Sequence, residues 1–282
     1  DLRATVIADA VKESGVRLDP SAMAFDSSHA IFREFDLPFT NEDQIRKVVR
    51  FEAEGSAPEG YYYRIDALDG SLLNRRRAVH HFDVSGTVRS MATPGAYPDS
   101  GSNPEVQTPM PHLTVSSAQG NAVTDSNGNF NIVGATAPLQ VTVSYDGTFA
   151  RTNNQAQGDY SLTTTLNSAS GNQVLMNPAS AALVTAEANG FNWIGKLRDW
   201  TRSINPAAST CDFLATSNVN ITSTCNAYYN GTSVNFYQAG SGCVNTAYSS
   251  VVVHEMGHWL NDRYGSGNGA DGFGEGNADN FS

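Results

Sequence analysis

The chain has 282 residues, 28 acidic against 17 basic side chains, and a formal net charge of −11. That length predicts more than one domain, and the acidic balance, with a pI near 4.8, argues against nucleic acid and anionic membrane surfaces as partners. No apolar run approaches the ~20 residues needed to span a bilayer.

Residues 1–80 read as a small α+β unit. Leu2, Val6, Ile7, Ala10 and Val11 recur with a helical period. Thr40 or Asn41 is placed to cap a second helix through Ile45, Val48 and Val49. Tyr61 to Leu73 then reads as strand, Asp69-Gly70 turn, strand. The run Arg75-Arg76-Arg77 is either a processing site or a solvated stretch of charge.

From 81 to 165 the pattern changes to short alternating strands, the signature of a β-sandwich module. Val84–Val88, Leu113–Val115, Phe130–Ile132 and Val141–Tyr145 carry it, and Thr124 to Phe130 reads as a hairpin turn. A Ca2+ loop is a secondary expectation from the Asp and Asn residues of that turn, although the downstream glutamate of an EF-hand is missing. Thr93 to Pro111 reads as a long loop, and 150–175 as a polar, flexible connection.

The third segment is 166–282. Pro178 suits a first helical position, with a helix through Leu183, Ala186, Phe191, Ile194, Leu197 and Trp200, weakened by Gly190 and Gly195. Trp193 and Trp200 read as packing residues. Cys211, Cys225 and Cys243 lack the spacing of a structural zinc cluster. Their use fits an extracytoplasmic protein, with Cys225 pairing either Cys243 or Cys211.

The phrase His254-Glu255-Met256-Gly257-His258 follows an apolar run from Ala247 to Val253. On a helix, residues four apart are offset by only ~40° around the axis and ~6 Å along it. Both imidazoles can therefore hold one ion, with Glu255 beside them as general base. Gly265 is suited to end this helix as a left-handed cap. A third histidine ligand is excluded, because Asn261 and Tyr264 stand where glycine and histidine would be required. Asp262 lies two turns and ~12 Å beyond His254, too far to share the ion. Glu275 remains as third ligand, delivered by a turn through the glycine-rich stretch after Gly265. Glu275 and Asp279 are again four apart, so one can ligate while the other receives the free ring N–H of a histidine.

H-E-x-x-H followed by E-x-x-x-D resembles the gluzincin metallopeptidases of the thermolysin and fungalysin type. Cys225 to Gly231 and Val234 to Tyr237 are similar to that family's hairpin, and Asn189 to Trp200 to the helix that opens its catalytic domain. The phrase Ile65-Asp66-Ala67 to Leu73 resembles the end of propeptide domains that precede fungalysin-like enzymes. The region 81–165 resembles β-sandwich modules of extracellular proteins. The resemblance implies a multidomain α+β protein: a propeptide-like unit (1–80), a β-sandwich (81–165), and part of a catalytic domain (166–282) with a mixed sheet, edge hairpin and active-site helix. It implies Zn2+ held by His254, His258 and Glu275, catalysis by Glu255, and Asp279 behind a histidine. It also implies a secreted endopeptidase acting on peptide or protein substrates, paired along Asn226, Ala227 and Tyr228. The family's oxyanion donors would follow Ser282, so the chain is expected to be a piece of a longer protein and an incomplete catalyst. The alternative is an inactive zinc-binding scaffold whose β-sandwich mediates binding.

Overall fold

The computed structural model describes residues 83–269 and 272–282, together with the backbone of five strands between residues 23 and 77. The chain divides into two compact units, Asp1–His80 and His81–Ser282. The first contains β1 (Met23–Ala24), β2 (Phe32–Glu34), β3 (Arg46–Ala53), β4 (Tyr61–Asp66) and β5 (Leu72–Arg77). These form an antiparallel sheet in which β3 pairs with β1, β2 and β4, and β4 pairs with β5.

The expected helix over Leu2 to Val11 and the Asp69-Gly70 turn lie outside the described residues. The second expected helix is corrected: Val48 and Val49 sit in β3, opposite Asp66 and Ile65 of β4. β-Branched residues favour an extended ladder once partner strands are available on both sides. Arg75, Arg76 and Arg77 lie inside β5, paired with Tyr63, Tyr62 and Tyr61 rather than on a loop.

The second unit starts with β6 (Val84–Ala92), β7 (Val106–Pro109), β8 (Leu113–Ser117), β9 (Gly120–Val123), β10 (Asn129–Ile132) and β11 (Leu139–Gly147). It continues with β12 (Ala150–Asn154), β13 (Ser161–Leu166), β14 (Asn172–Met176) and the long helix α1 (Ala182–Ile204). Then come β15 (Ala215–Ile221), β16 (Ala227–Tyr229), β17 (Val234–Tyr237) and two helices, α2 (Ser249–Arg263) and α3 (Phe273–Asp279). One mixed sheet joins β6 to β7, β10 and β14. The larger runs β16-β17-β15-β12-β11-β8-β9, with β13 also on β11. The chain is therefore mixed α+β.

Several expectations are corrected here. The stretches 81–165 and 166–282 are not separate layers of structure, because β12 pairs in parallel with β15 across the expected boundary. Their apolar residues, from Val84 to Leu260, pack in one core. The long loop contains β7, and 150–175 contains three strands. β12 hides its strand character behind polar residues: it buries Ala150, Thr152 and Asn154 in strict alternation. Asn154 is tolerated there because it donates to Glu187 Oε1 (2.7 Å), accepts from Asn220 (3.1 Å) and so is not left unpaired. The Thr124–Phe130 turn does not close a hairpin between its flanking strands. β9 pairs with β8 while β10 crosses to β6, and Asp125 Oδ1 receives the amides of Asn127 and Asn129. Pro178 precedes α1 instead of opening it. Asn177, at φ 49°, turns the chain and its side chain accepts the Ala181 amide (2.8 Å).

α1 lies against β12 and β15 and supports α2. Gly190, which weakens the helix pattern in the sequence, sits where the sheet comes close. A Cβ there would lie 2.6 Å from Ser217 Oγ on β15. Gly190→Val is expected to lower stability by about 1–3 kcal/mol through overpacking. A reduced urea midpoint with an unchanged m-value is the expected reading, and an unchanged midpoint would refute the close packing.

Candidate metal centre

α2 buries Val252, Val253, Met256 and Leu260 against the core. That face, set by an apolar spacing of three to four, turns His254 and His258 toward a cleft beside β16. The helix ends as expected. Gly265 (φ 75°) lets the Gly265 and Ser266 amides return to the carbonyls of Asp262 and Asn261. The chain then doubles back, and α3 packs on α2. Gly257, between the two histidines, permits this, since a Cβ at that position would lie 2.8 Å from Ala278 Cα.

The doubling back brings three acceptor atoms together. His254 Nε2 and His258 Nε2 are 3.2 Å apart, and Glu275 Oε2 is 3.3 Å from the first and 3.5 Å from the second. The opposite ring nitrogens show which tautomer each histidine holds. His254 Nδ1 donates to Asp279 Oδ1 (2.9 Å), a carboxylate that can only accept. His258 Nδ1 donates to Asn268 Oδ1 (3.2 Å). The orientation of that amide is set by its Nδ2, which donates to the His258 carbonyl (2.9 Å) and to Asp262 Oδ1 (2.8 Å). Neutral imidazoles so arranged aim two bare Nε2 lone pairs at a carboxylate oxygen. A bridging proton satisfies two of these atoms. A tetrahedral cation satisfies all three, and at zinc bond lengths its ligands stand ~3.3–3.4 Å apart. The two-nitrogen, one-carboxylate donor set therefore fits zinc.

Glu255 is only 6 % exposed, whereas the Glu275 side chain is 71 % exposed on the open side of the cleft. Burial pushes the Glu255 carboxyl above its usual range, and Glu275 adds to this, while both histidines and the Tyr229 backbone N–H oppose it. The cleft, about 400 Å³, is lined by Asn226, Ala227, Tyr228, Tyr229, His254, Glu255, His258, Asn268 and Glu275. Among the described residues, β16 forms the outer edge of the large sheet, paired on one side only, with Ala227 opposite Phe236. Cys225 and Cys243 form a disulfide that brackets the hairpin, and Cys211 is buried and free. Asn226 is held through its carbonyl, which accepts from Thr246 Oγ1 (3.0 Å).

Every site residue expected from the sequence thus meets in one cleft or directly behind it. Asp262, set aside as a ligand, serves as a partner of Asn268. Four residues were missed. Asn268 sits in a glycine-rich turn with no ligand spacing to announce it, and Tyr229 looks like an ordinary strand residue. Asn277 donates to buried Asn261 Oδ1 (2.9 Å), and Asn261 donates to Asn268 Oδ1 (3.2 Å), tying α3 to α2 and the turn. A repeated asparagine at 261, 268 and 277 was the only trace of this network in the sequence.

No family model and no curated protein matches this chain. Among the described residues, His254, His258 and Glu275 form the one group of three or more His, Cys, Asp or Glu side chains placed to hold a metal ion.

The purified chain is expected to bind one zinc ion. Glu275→Ala should weaken binding by more than the ~10–100-fold typical of outer hydrogen-bond partners. Gly257→Ala favours the helix intrinsically by about 1 kcal/mol, yet it should also weaken zinc by pushing α3 outward. Zinc titration by chelator competition measures both, and undiminished affinity in either variant would contradict this geometry.

Proposed function

We propose that the protein is a secreted zinc metalloendopeptidase of the gluzincin type. The observation that carries the proposal is the convergence of His254 Nε2, His258 Nε2 and Glu275 Oε2 to within 3.2–3.5 Å, with buried Glu255 beside them. A zinc ion bound there would supply Lewis acidity, lowering the pKa of a water and polarising a peptide carbonyl.

The chain's own residues account for the rest. Glu255 is placed to take a proton from the attacking water and deliver it to the leaving amine. Its burial favours proton uptake over a fully solvated carboxylate. Asp279 and Asn268 hold both imidazoles with Nε2 facing the cleft. The unpaired edge of β16 offers backbone groups to an extended peptide, which would join the sheet as an added strand. Asn226, Ala227 and Tyr228 are the residues along which it would lie, and the Cys225–Cys243 disulfide would keep that edge in place. A disulfide also suits an oxidising, extracytoplasmic compartment. In this reading residues 1–80 act as a propeptide-like unit that assists folding or restrains activity.

Ligand binding is the first measure of this reading. A zinc-loaded sample should bind a peptidyl hydroxamate more tightly than the bare hydroxamate, and chelation should abolish both interactions. Hydrolysis of a quenched fluorogenic peptide should vanish in Glu255→Gln while zinc is retained. Equal affinity for the two hydroxamates would count against the added-strand mode. Undiminished hydrolysis by Glu255→Gln would remove Glu255 as the base.

A further inference from the structure

β16 runs alongside α2, and contacts fix that alignment at both ends. At its start, the Asn226 carbonyl accepts from Thr246 Oγ1 (3.0 Å), just ahead of the first turn of α2. At its finish, the Tyr229 ring packs on Trp259, the residue after His258, with centroids 5.4 Å apart. A peptide added to this edge would therefore lie along the metal-bearing face of the helix, from its first turn towards its last. The charges it would meet are of one sign. Glu255 and Glu275 line the cleft, and Asp279 stands behind His254. Exposed Asp262 lies one turn beyond His258 and accepts from Asn268 Nδ2 (2.8 Å), a side chain that itself lines the cleft. Among the described residues, no lysine or arginine lines it.

We propose that this cleft selects cationic peptides, with a lysine or arginine favoured at the Tyr229 end of the β16 edge. The inference rests on the peptidase reading, of which it names the substrate class.

A bound zinc ion would not cancel this charge. It brings two positive charges, whereas Glu255, Glu275, Asp262 and Asp279 bring four negative ones when ionised, and a protonated Glu255 still leaves an excess of one. A cleft lined by one sign of charge focuses its field and concentrates substrates of the opposite sign. Nearby bases are engaged elsewhere. Arg263, the only lysine or arginine of α2, turns its guanidinium onto the Phe213 ring (4.2 Å) and donates Nε to the Thr210 carbonyl (2.7 Å). Arg198 is held by Asp212 (2.8 Å) and Asp199 (3.1 Å), and Lys196 lies over Trp193 (4.3 Å). The chain's formal charge of −11 acts in the same sense at longer range. Aromatic surface adds to the selection. Tyr228, 38 % exposed, and Tyr229 both line the cleft. Their ring faces suit the methylene stem of a lysine or the plane of a guanidinium. The Tyr229 end is favoured because Asp262 and the carbonyl end of the α2 dipole lie there. The opposite end faces the first turn of α2, which carries no acidic residue.

The competing explanation is that edge pairing is blind to charge, so that any side chain of equal size serves. Two series of peptide hydroxamates separate the two, carrying the variable residue on the acyl side or on the amine side of the zinc-binding group. That residue is lysine, norleucine or glutamate, norleucine matching the lysine stem without its charge. With the zinc-loaded chain at low ionic strength, Kd should rise in the order lysine, norleucine, glutamate, by ~10-fold from first to last. In about 1 M salt, where the Debye length falls to ~3 Å, that ratio should narrow. One series should respond more strongly than the other, and there Asp262→Asn should narrow the ratio at low salt. Asparagine still offers an oxygen to Asn268, and zinc content measured on the same sample shows that the site is loaded. Equal Kd for lysine and glutamate in both series, a reversed order, or a ratio untouched by salt would overturn the proposal. A wild-type ratio in zinc-loaded Asp262→Asn would overturn its placement at the Tyr229 end. If every peptide hydroxamate bound no better than the bare hydroxamate, the added-strand reading would fall and this inference with it. A chain that binds no zinc would sink the site itself. A charge order without peptide hydrolysis would keep the cationic selection and count against the proposed activity alone.

Discussion

Three acceptor atoms facing one another across 3.2–3.5 Å are an electrostatic cost unless a cation lies between them. Much of the carboxyl-terminal half of the protein is arranged around that constraint. Two acceptors come from one helix, where the four-residue spacing sets their separation. The third comes from a separate short helix, and nothing local obliges it to be there. Contact between α2 and α3 brings it in, and that contact relies on a glycine at 257 and an alanine at 278 at the crossing. The side chains behind the acceptors then fix their direction. Asp279 and Asn268 take the remaining N–H of each imidazole, so neither ring can turn its lone pair away without losing a hydrogen bond.

The rest of the second unit gives α2 a rigid bed. α1 packs on β12 and β15 and beside α2, which itself reaches β16 and β17; small residues stand where the sheet approaches α1 and asparagines where loops must be held. Asn189 accepts the Thr93 amide (2.9 Å) and donates to the Ala247 carbonyl (2.9 Å), immediately before α2 begins. At the first turn of α2, Ser249 donates to the Gly95 carbonyl and Ser250 to that of Ala96 (3.1 Å). A second buried network runs from Glu187 through Asn154 and Asn220 to Asn245. Burial pushes the Glu187 carboxyl up, an effect opposed by donors from Asn154, the Tyr160 backbone and Thr152. Such networks add little net stability when satisfied, but they are expensive to break, and so they favour one arrangement of strands and helices. Thr93 and Asn154 thereby contribute to the position of a site a hundred or more residues further along the chain.

How much of this was legible depended on how far each residue's partner lay in sequence. His254, Glu255 and His258 could be read because a helix fixes their relation within five residues. Glu275 and Asp279 could be read as a pair on the same grounds, and the H-E-x-x-H phrase supplied a partner for them. Asn268 could not, because its role depends on a turn whose path is set by Gly265, Gly267 and Asn261 together. Val48 and Val49 looked helical by spacing, yet their strand neighbours lie in other segments. β12 and β13 read as a connection because their buried and paired positions carry Thr and Asn, which signal loops unless partners elsewhere satisfy them. The boundary expected at 165 failed for the same reason, since a parallel strand pair leaves no mark in the local sequence.

By itself the sequence determined the local chemistry: which side chains share a helix face, where that helix stops, and which residue types were available as donors. Those follow from backbone geometry over one or two turns. Only the tertiary structure decided that Cys225 meets Cys243, that β16 is an open edge beside Glu255, and that Asp262 finds its partner in Asn268. It also decided that the strands before residue 165 and the helices after it share one core. Each of these depends on closing a loop between residues far apart in the chain, a balance of packing against chain entropy that no short stretch of sequence records.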